Sequence, residues 1–150
     1  MQDMKYTLII DKNAQEEVTI VANSPSALTQ KIEDLVRRFS GTDSITVYGE
    51  DEMRRLYYKD IECITIIDRR VVAVDSEGNQ YAIRETLRDL EQILPSYFLR
   101  INKSALANEN RIERFDTAVA GGVNAVFLCG YREYVSRRCF AVIRRRYEGK

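Results

Sequence analysis

SITVYGEDEMRRLYYKDIECITIIDRRVVAVDSEGNQYAIR, residues 44–84, reads as one short β-rich run after another. The segments SITVYG, RRLYY, ECITIID, RRVVAVDS and QYAIR are rich in β-branched and aromatic residues and are bounded by charged or turn-forming ones. Ser76-Glu77-Gly78-Asn79 is a turn signal, because Gly accepts a positive φ and Ser and Asn bond their own backbone. This stretch predicts a sheet built from short strands.

The pattern continues downstream through YFLRIN, NAVFLCG and EYVSR, with a further turn signal at Gly121-Gly122. One helix interrupts it: Thr86 to Leu94 places Leu87, Leu90 and Leu94 on one stripe, and Pro95 stops it. A second helix is expected at FAVIRRRYE, residues 140–148. Upstream, KYTLIID and EEVTIVAN flank the polar Lys12–Gln15 stretch and predict a hairpin. A helix follows, with Ser24 as cap, Pro25 in the first turn, Leu28, Ile32, Leu35, Val36 and Phe39 on one stripe, and Gly41 as its end. The expected fold class is mainly β (α+β): a multi-sheet unit over residues 51–150 with one internal and one C-terminal helix. A small hairpin-plus-helix module over residues 1–50 precedes it and is a candidate for dimerisation.

The 150 residues are 45% hydrophobic and 31% charged, the balance of a globular chain. Apolar runs such as Leu8–Ile10 and Ala125–Leu128 are far shorter than the ~20 residues that cross a bilayer. With no secretory pattern at the start, no membrane insertion and a cytoplasmic location are expected. The chain has no histidine, which removes the commonest general base and metal ligand. Cys63, Cys129 and Cys139 stand at no metal-binding spacing and read as buried or half-buried thiols in a reducing compartment. No cofactor is expected, and without a phosphate-cradling Gly loop or paired carboxylates an enzyme is a poor reading. The net charge of zero hides a division: residues 1–52 carry five Lys/Arg against ten Asp/Glu, and residues 97–150 eleven against five. The late basic excess suits phosphate neutralisation, or equally a solvated face balanced by the acidic start.

Four motifs stand in order: Asp60-Ile61-Glu62-Cys63-Ile64, the helix Thr86–Leu94, the run FLRINKSALANENRI over residues 98–112, and Tyr134-Val135-Ser136-Arg137-Arg138. Together they resemble the LytTR family of bacterial DNA-binding domains over about Asp51–Tyr147. The family pattern is F-x-R-[IV]-H-[RK]-S-x-x-[VI]-N followed by S-R-R. The first 50 residues do not look like a phosphoacceptor receiver, which needs a longer parallel α/β repeat. They resemble the leader of stand-alone members.

The resemblance implies an elongated β structure that lies along double-stranded DNA and reads paired promoter elements through loops, as a transcriptional regulator. A homodimer is expected because repeated sites suit paired proteins and the acidic N-terminal module has no other evident job. It implies three contact places. The first is the turn Asp68-Arg69-Arg70, with Arg69 foremost. The second is Asn102-Lys103-Ser104, with Lys103 foremost. The third is Ser136-Arg137-Arg138, taken as a loop, with Arg138 foremost. The chemistry is apt: Arg grips guanine O6 and N7 with two bonds, Asn does the same for adenine, and Lys and Ser reach phosphates or base acceptors.

Asn102 stands where the family usually has His or a small polar residue, and Ala107 where it usually has Val or Ile. Ala107 is read as a core residue, and Asn108 as a support for the turn behind it. Arg144-Arg145-Arg146 fans around a helix and reads as solvated. Tyr57, Tyr58, Tyr81 and Tyr97 read as half-buried packing and not as base-stacking platforms. An alternative stays open: a protein–protein interaction module of LytTR-like shape that does not bind DNA, with the N-terminal module taking a protein partner.

Overall fold

The computed structural model describes residues 5–39, 43–117 and 122–149, with the backbone alone at 38 and 39. Ten strands and three helices follow in the order α1 (Ala27–Phe39), β1 (Ser44–Tyr48), β2 (Met53–Tyr57), β3 (Ile61–Ile67), β4 (Arg70–Asp75), β5 (Gln80–Ala82), α2 (Leu87–Ile93), β6 (Phe98–Asn102), β7 (Ala105–Asn108), β8 (Ile112–Asp116), β9 (Val123–Phe127), β10 (Arg132–Val135) and α3 (Arg137–Glu148). The mainly β expectation holds. All eight strand segments expected from Ser44 onward form, and β7 and β8 join them.

Strands β2-β1-β5-β4-β3-β7-β6 make one antiparallel sheet, and β10-β9-β8 make another. Strand β1 lies in residues 44–48, so the large sheet runs across the 50/51 division drawn from the sequence. The interior strand β3 is buried from Ile61 to Thr65, because both of its faces are covered. On one face Ile64, Leu106 and Phe98 pack against Leu87 and Leu90 of α2 and Leu94 just after it. On the other, Cys63, Ala105 and Ala107 meet Ala125, Phe127, Val135 and Ile143 of the small sheet and α3. The small side chains of β7 let this second layer approach closely.

Local chemistry explains the element ends. Thr86 caps α2 by accepting from the Asp89 N–H at 3.1 Å, and Pro95 follows its end. Asp75 closes the β4–β5 turn by accepting from the N–H groups of Glu77 and Asn79 at 3.0 and 2.8 Å, and Gly78 takes φ +85°. Asn108 supports its turn as expected: its amide donates to the Ile61 carbonyl at 2.9 Å and its Oδ1 accepts from the Asn110 N–H at 2.9 Å. Ala107 is buried in the second core, and Tyr58 and Tyr81 are buried in the first. Burial pushes the Cys63 thiol well above its ordinary value, with the Glu133 charge next in effect, so it stays a thiol.

Three expectations need correction. The N-terminal hairpin does not form: residues 5–23 turn at Asp11–Ala14 but carry no strand. An isolated two-stranded hairpin is marginal without a surface to pack on, and none lies beside this one. The α1 cap is Ser26, not Ser24, since the Ser26 hydroxyl accepts from the Thr29 N–H at 3.2 Å and the helix begins at Ala27. Pro25 therefore lies outside the first turn. Of the α1 stripe, Ile32 and Val36 are half-buried while Leu28 and Leu35 remain exposed. The expected helix end at Gly41 lies outside the described residues, as does Gly121 of the Gly-Gly turn.

Candidate nucleic-acid interface

Strand register decides which turns share an end of the large sheet. Ile67 pairs with Arg70, so Asp68 and Arg69 form a two-residue turn. Thr65 pairs with Ala105, and Asn102 with the same Ala105, so the Lys103-Ser104 turn emerges beside it. Strands lie about 4.8 Å apart, and the two hairpins are therefore about 10 Å apart centre to centre. The β10–α3 junction closes the row: the Ser136 N–H donates to the Ile101 carbonyl at 2.9 Å. That carbonyl is free because Ile101 is skipped in the β6–β7 register, a bulge that unpairs one residue. The three sequence-predicted places are thus brought together.

Asp68 and Arg69 have φ of +50° and +67°. Such a turn matches the twist of the flanking strands, but it normally takes Asn-Gly, because side chains crowd the backbone there. The hairpin holds two full side chains in that conformation, with Arg69 exposed at the tip. Arg69→Gly is accordingly expected to raise stability by about 1 kcal/mol while weakening duplex binding. Urea unfolding beside a duplex titration checks both signs, and stability that falls on substitution would refute the strain.

Lys103 is exposed at the second tip, and its turn is held from below. The Asn102 Oδ1 accepts from the Ser104 N–H at 2.7 Å, and its Nδ2 donates to the Tyr134 carbonyl at 2.6 Å and to Glu133 at 3.2 Å. Asn102 is buried with both kinds of amide atom engaged within the chain. The Tyr131 hydroxyl donates to the other Glu133 oxygen at 2.9 Å. Burial, then the Glu133 charge, pushes this phenol above its ordinary value and keeps its proton in place. Arg100 adds a bond to the Lys103 carbonyl at 3.1 Å while pairing with Glu91.

At the third place the loop reading is corrected. Arg137 and Arg138 are the first two residues of α3, and Ser136 is its cap, accepting from the Cys139 N–H at 3.2 Å. The helix starts three residues earlier than the apolar periodicity indicated, because a Ser cap defines the start and two arginines carry no periodic signal. Both arginines are exposed, at the positive end of the helix dipole.

Sequence reasoning missed Arg84. Ala82 pairs with Val72, and the Ile83 N–H donates to the Val71 carbonyl, so Arg84 falls alongside Arg70 at this same end. Its guanidinium lies 4.0 Å from the Tyr48 ring centroid, which fixes its orientation. A cation directly after a strand that pairs with the β3–β4 hairpin was the available signal. Eight ion pairs occur among the described residues, and none includes Arg69, Arg70, Arg84, Lys103, Arg137 or Arg138. Arg111, Arg132, Arg144 and Arg146 elsewhere are paired with carboxylates, whereas Arg55, Arg88 and Arg145 are in none of these pairs.

The family model for the LytTr DNA-binding domain matches residues 51–148. Uncharacterized HTH-type transcriptional regulators of Staphylococcus aureus, strains bovine RF122 / ET3-1 and NCTC 8325 / PS 47, are each 26% identical over 144 residues, covering 95% of this chain and 97% of theirs. Among the described residues of this chain, strands separate every helix from the next, so no helix-turn-helix is present. A solved LytTr DNA-binding domain from Bacillus cereus superposes with a TM-score of 0.62 at 19% identity, covering 72% of this chain and 98% of that one. The family-model match over residues 51–148, more than half of the chain, places this chain in the LytTR family of DNA-binding domains.

Proposed function

We propose that this chain is a sequence-specific, non-enzymatic transcriptional regulator of the cytoplasm that binds double-stranded DNA as a homodimer and reads paired promoter elements. One observation carries the reading: six cations that take part in no ion pair among the described residues, Arg69, Arg70, Arg84, Lys103, Arg137 and Arg138, stand in a row at one end of the large sheet. Unpaired guanidinium groups keep their full capacity for phosphates and guanine edges, whereas paired ones must first give up a partner.

In this reading Arg69, Lys103 and Arg138 reach the duplex from three adjacent places. Arg70, Ser104 and Arg137 flank them, Arg84 extends the row onto the backbone, and the free N–H groups at the start of α3 suit a phosphate. Asn102 acts through its turn, positioning Lys103 instead of touching a base. No helix among the described residues is long and apolar enough to cross a membrane. The acidic residues 1–52 repel a duplex and leave it to the sheet end.

Binding-site selection from random duplexes is expected to return two copies of one short element at a fixed spacing. With four to six phosphates neutralised per protomer, log K should fall against log salt with a slope of about −4 to −5. Selection that returns no motif, with binding indifferent to salt, would favour the interaction-module alternative.

A further inference from the structure

The N-terminal arm, residues 5–23, leaves its apolar side chains uncovered. Tyr6, Leu8, Ile9, Ile10, Val18 and Val21 are 60–92% exposed. The accessible surface of the chain is 11355 Å², whereas a compact monomer of this mass exposes about 7,900 Å². Those six residues alone present roughly 900 Å², and a stable interface buries about 800 Å² per partner. The arm's backbone is also unpaired although its composition is that of strands. The arm carries Asp11, Glu16 and Glu17 against Lys5 and Lys12, and this acidic balance disfavours DNA as the cover.

The large sheet has two outer strands, β2 and β6. The β6 end is engaged by Tyr134 and Ser136. Strand β2 carries Arg55, which is in no ion pair among the described residues, and Arg54, which pairs at 2.7 Å with Glu52 just before the strand; Met53 and Tyr57 on it are exposed. Charges on an edge strand deter indiscriminate pairing and admit a strand of opposite sign. The arm offers Glu16-Glu17 at the head of the run Val18-Thr19-Ile20-Val21. Consecutive residues of a strand point to opposite faces. A single register therefore sets one glutamate beside Arg54 and the other beside Arg55.

We propose that the arm of each copy adds as a strand to the β2 edge of a second copy, so that two chains exchange arms in a symmetric dimer. The exchange deepens the homodimer proposed above and rests on it. It buries the apolar arm, satisfies an open sheet edge, and uses the same contact twice, as two-fold symmetry requires. It also leaves the opposite, basic run of turns in each copy free for DNA.

The test uses the full chain without DNA, at micromolar concentration, by sedimentation velocity. The parent protein should sediment at twice 17.4 kDa. Glu16→Arg with Glu17→Arg, in one protein, sets like charges against β2 and should give single chains. Arg54→Glu with Arg55→Glu, in another, should do the same. Mixed in equal amounts, the two should return to the double mass, because each arm then meets an edge of opposite sign. Val18→Asp with Val21→Asp changes only exposed arm residues, and should give a folded single chain by circular dichroism. A parent protein that stays single, a charge-reversed or Asp protein that stays double, or a mixture that stays single would each overturn the exchange. Because DNA is absent, such a failure leaves the DNA-binding reading intact, and loss of DNA binding by a dimer formed this way would count against that reading alone.

Discussion

Glu62→Ala is expected to lower the unfolding free energy by about 3 kcal/mol, from a total that for a domain of this size is of the order of 5–15 kcal/mol. Glu62 is fully buried and is skipped in the β3–β4 register, where Ile61 pairs with Asp75 and Cys63 with Val74. That bulge turns its carboxylate away from the α2 face and toward the small sheet. There one oxygen accepts from Arg111 and the other from the Cys129 N–H at 2.9 Å. A single side chain thus fastens one end of the small sheet, where β8 begins and β9 ends, to β3. Removing it strands an N–H and a guanidinium in a poorly hydrated place.

The expected loss lies at the low end of the range for broken buried pairs because Arg111 keeps 29% of its side chain exposed and water screens it. Glu62→Gln should cost less, since its amide oxygen still accepts from Cys129. The consequence for function follows from what the second layer carries: α3, and with it Arg137 and Arg138, is placed through this fastening. Urea unfolding measures the effect as a lower midpoint at unchanged slope. A loss below about 1 kcal/mol would mean that apolar packing of Phe127, Val135 and Ile143 docks the layer without help from Glu62.

How far the sequence predicted this arrangement depends on which signal each part carries. Strands β1 to β6 were legible because β-branched runs alternate with turn residues. Strands β7 and β8 were not: ALAN has low β-propensity, and IERFD is more than half charged. β7 is a strand through tertiary context, since Ala105 and Ala107 fit between two packed layers where larger side chains would not. The N-terminal hairpin failed for the opposite reason. Its composition is that of strands, but no surface of its own chain covers it.

At the interface, motif order located three places that the register then brought to one sheet end. Sequence alone could not separate a contacting residue from a supporting one. Asn102 reads as an adenine donor from its residue type, yet its amide is spent on Ser104, Glu133 and Tyr134, residues up to 32 positions away. Arg84 carried no motif, and only the pairing of β4 with β5 sets it beside Arg70.

Arg138→Ala is expected to weaken binding to the preferred duplex by about 1–3 kcal/mol, or roughly five- to 150-fold, and to weaken binding to random duplex much less. The side chain leaves the first turn of α3, whose start is fixed by the Ser136 cap and by the bond from Ser136 to Ile101. A base contact needs such fixation, because a guanidinium must hold two bonds at once. Lys103→Ala should behave differently. Its ammonium stands on a turn tip as a point charge, so its loss should weaken both duplexes alike and make the salt slope shallower by about one. Arg145→Ala supplies the control: the residue is exposed on α3, away from the row of turns, and its loss should change either affinity by no more than about 0.5 kcal/mol. Titration of all three against both duplexes at two salt concentrations separates the roles, once circular dichroism has established that each is folded. Binding abolished by Arg145→Ala alone, with the other two intact, would move the reading surface from the sheet end to the outer face of α3. Equal losses on both duplexes for Arg138→Ala would make it a phosphate contact and leave Arg69 as the candidate reader of bases.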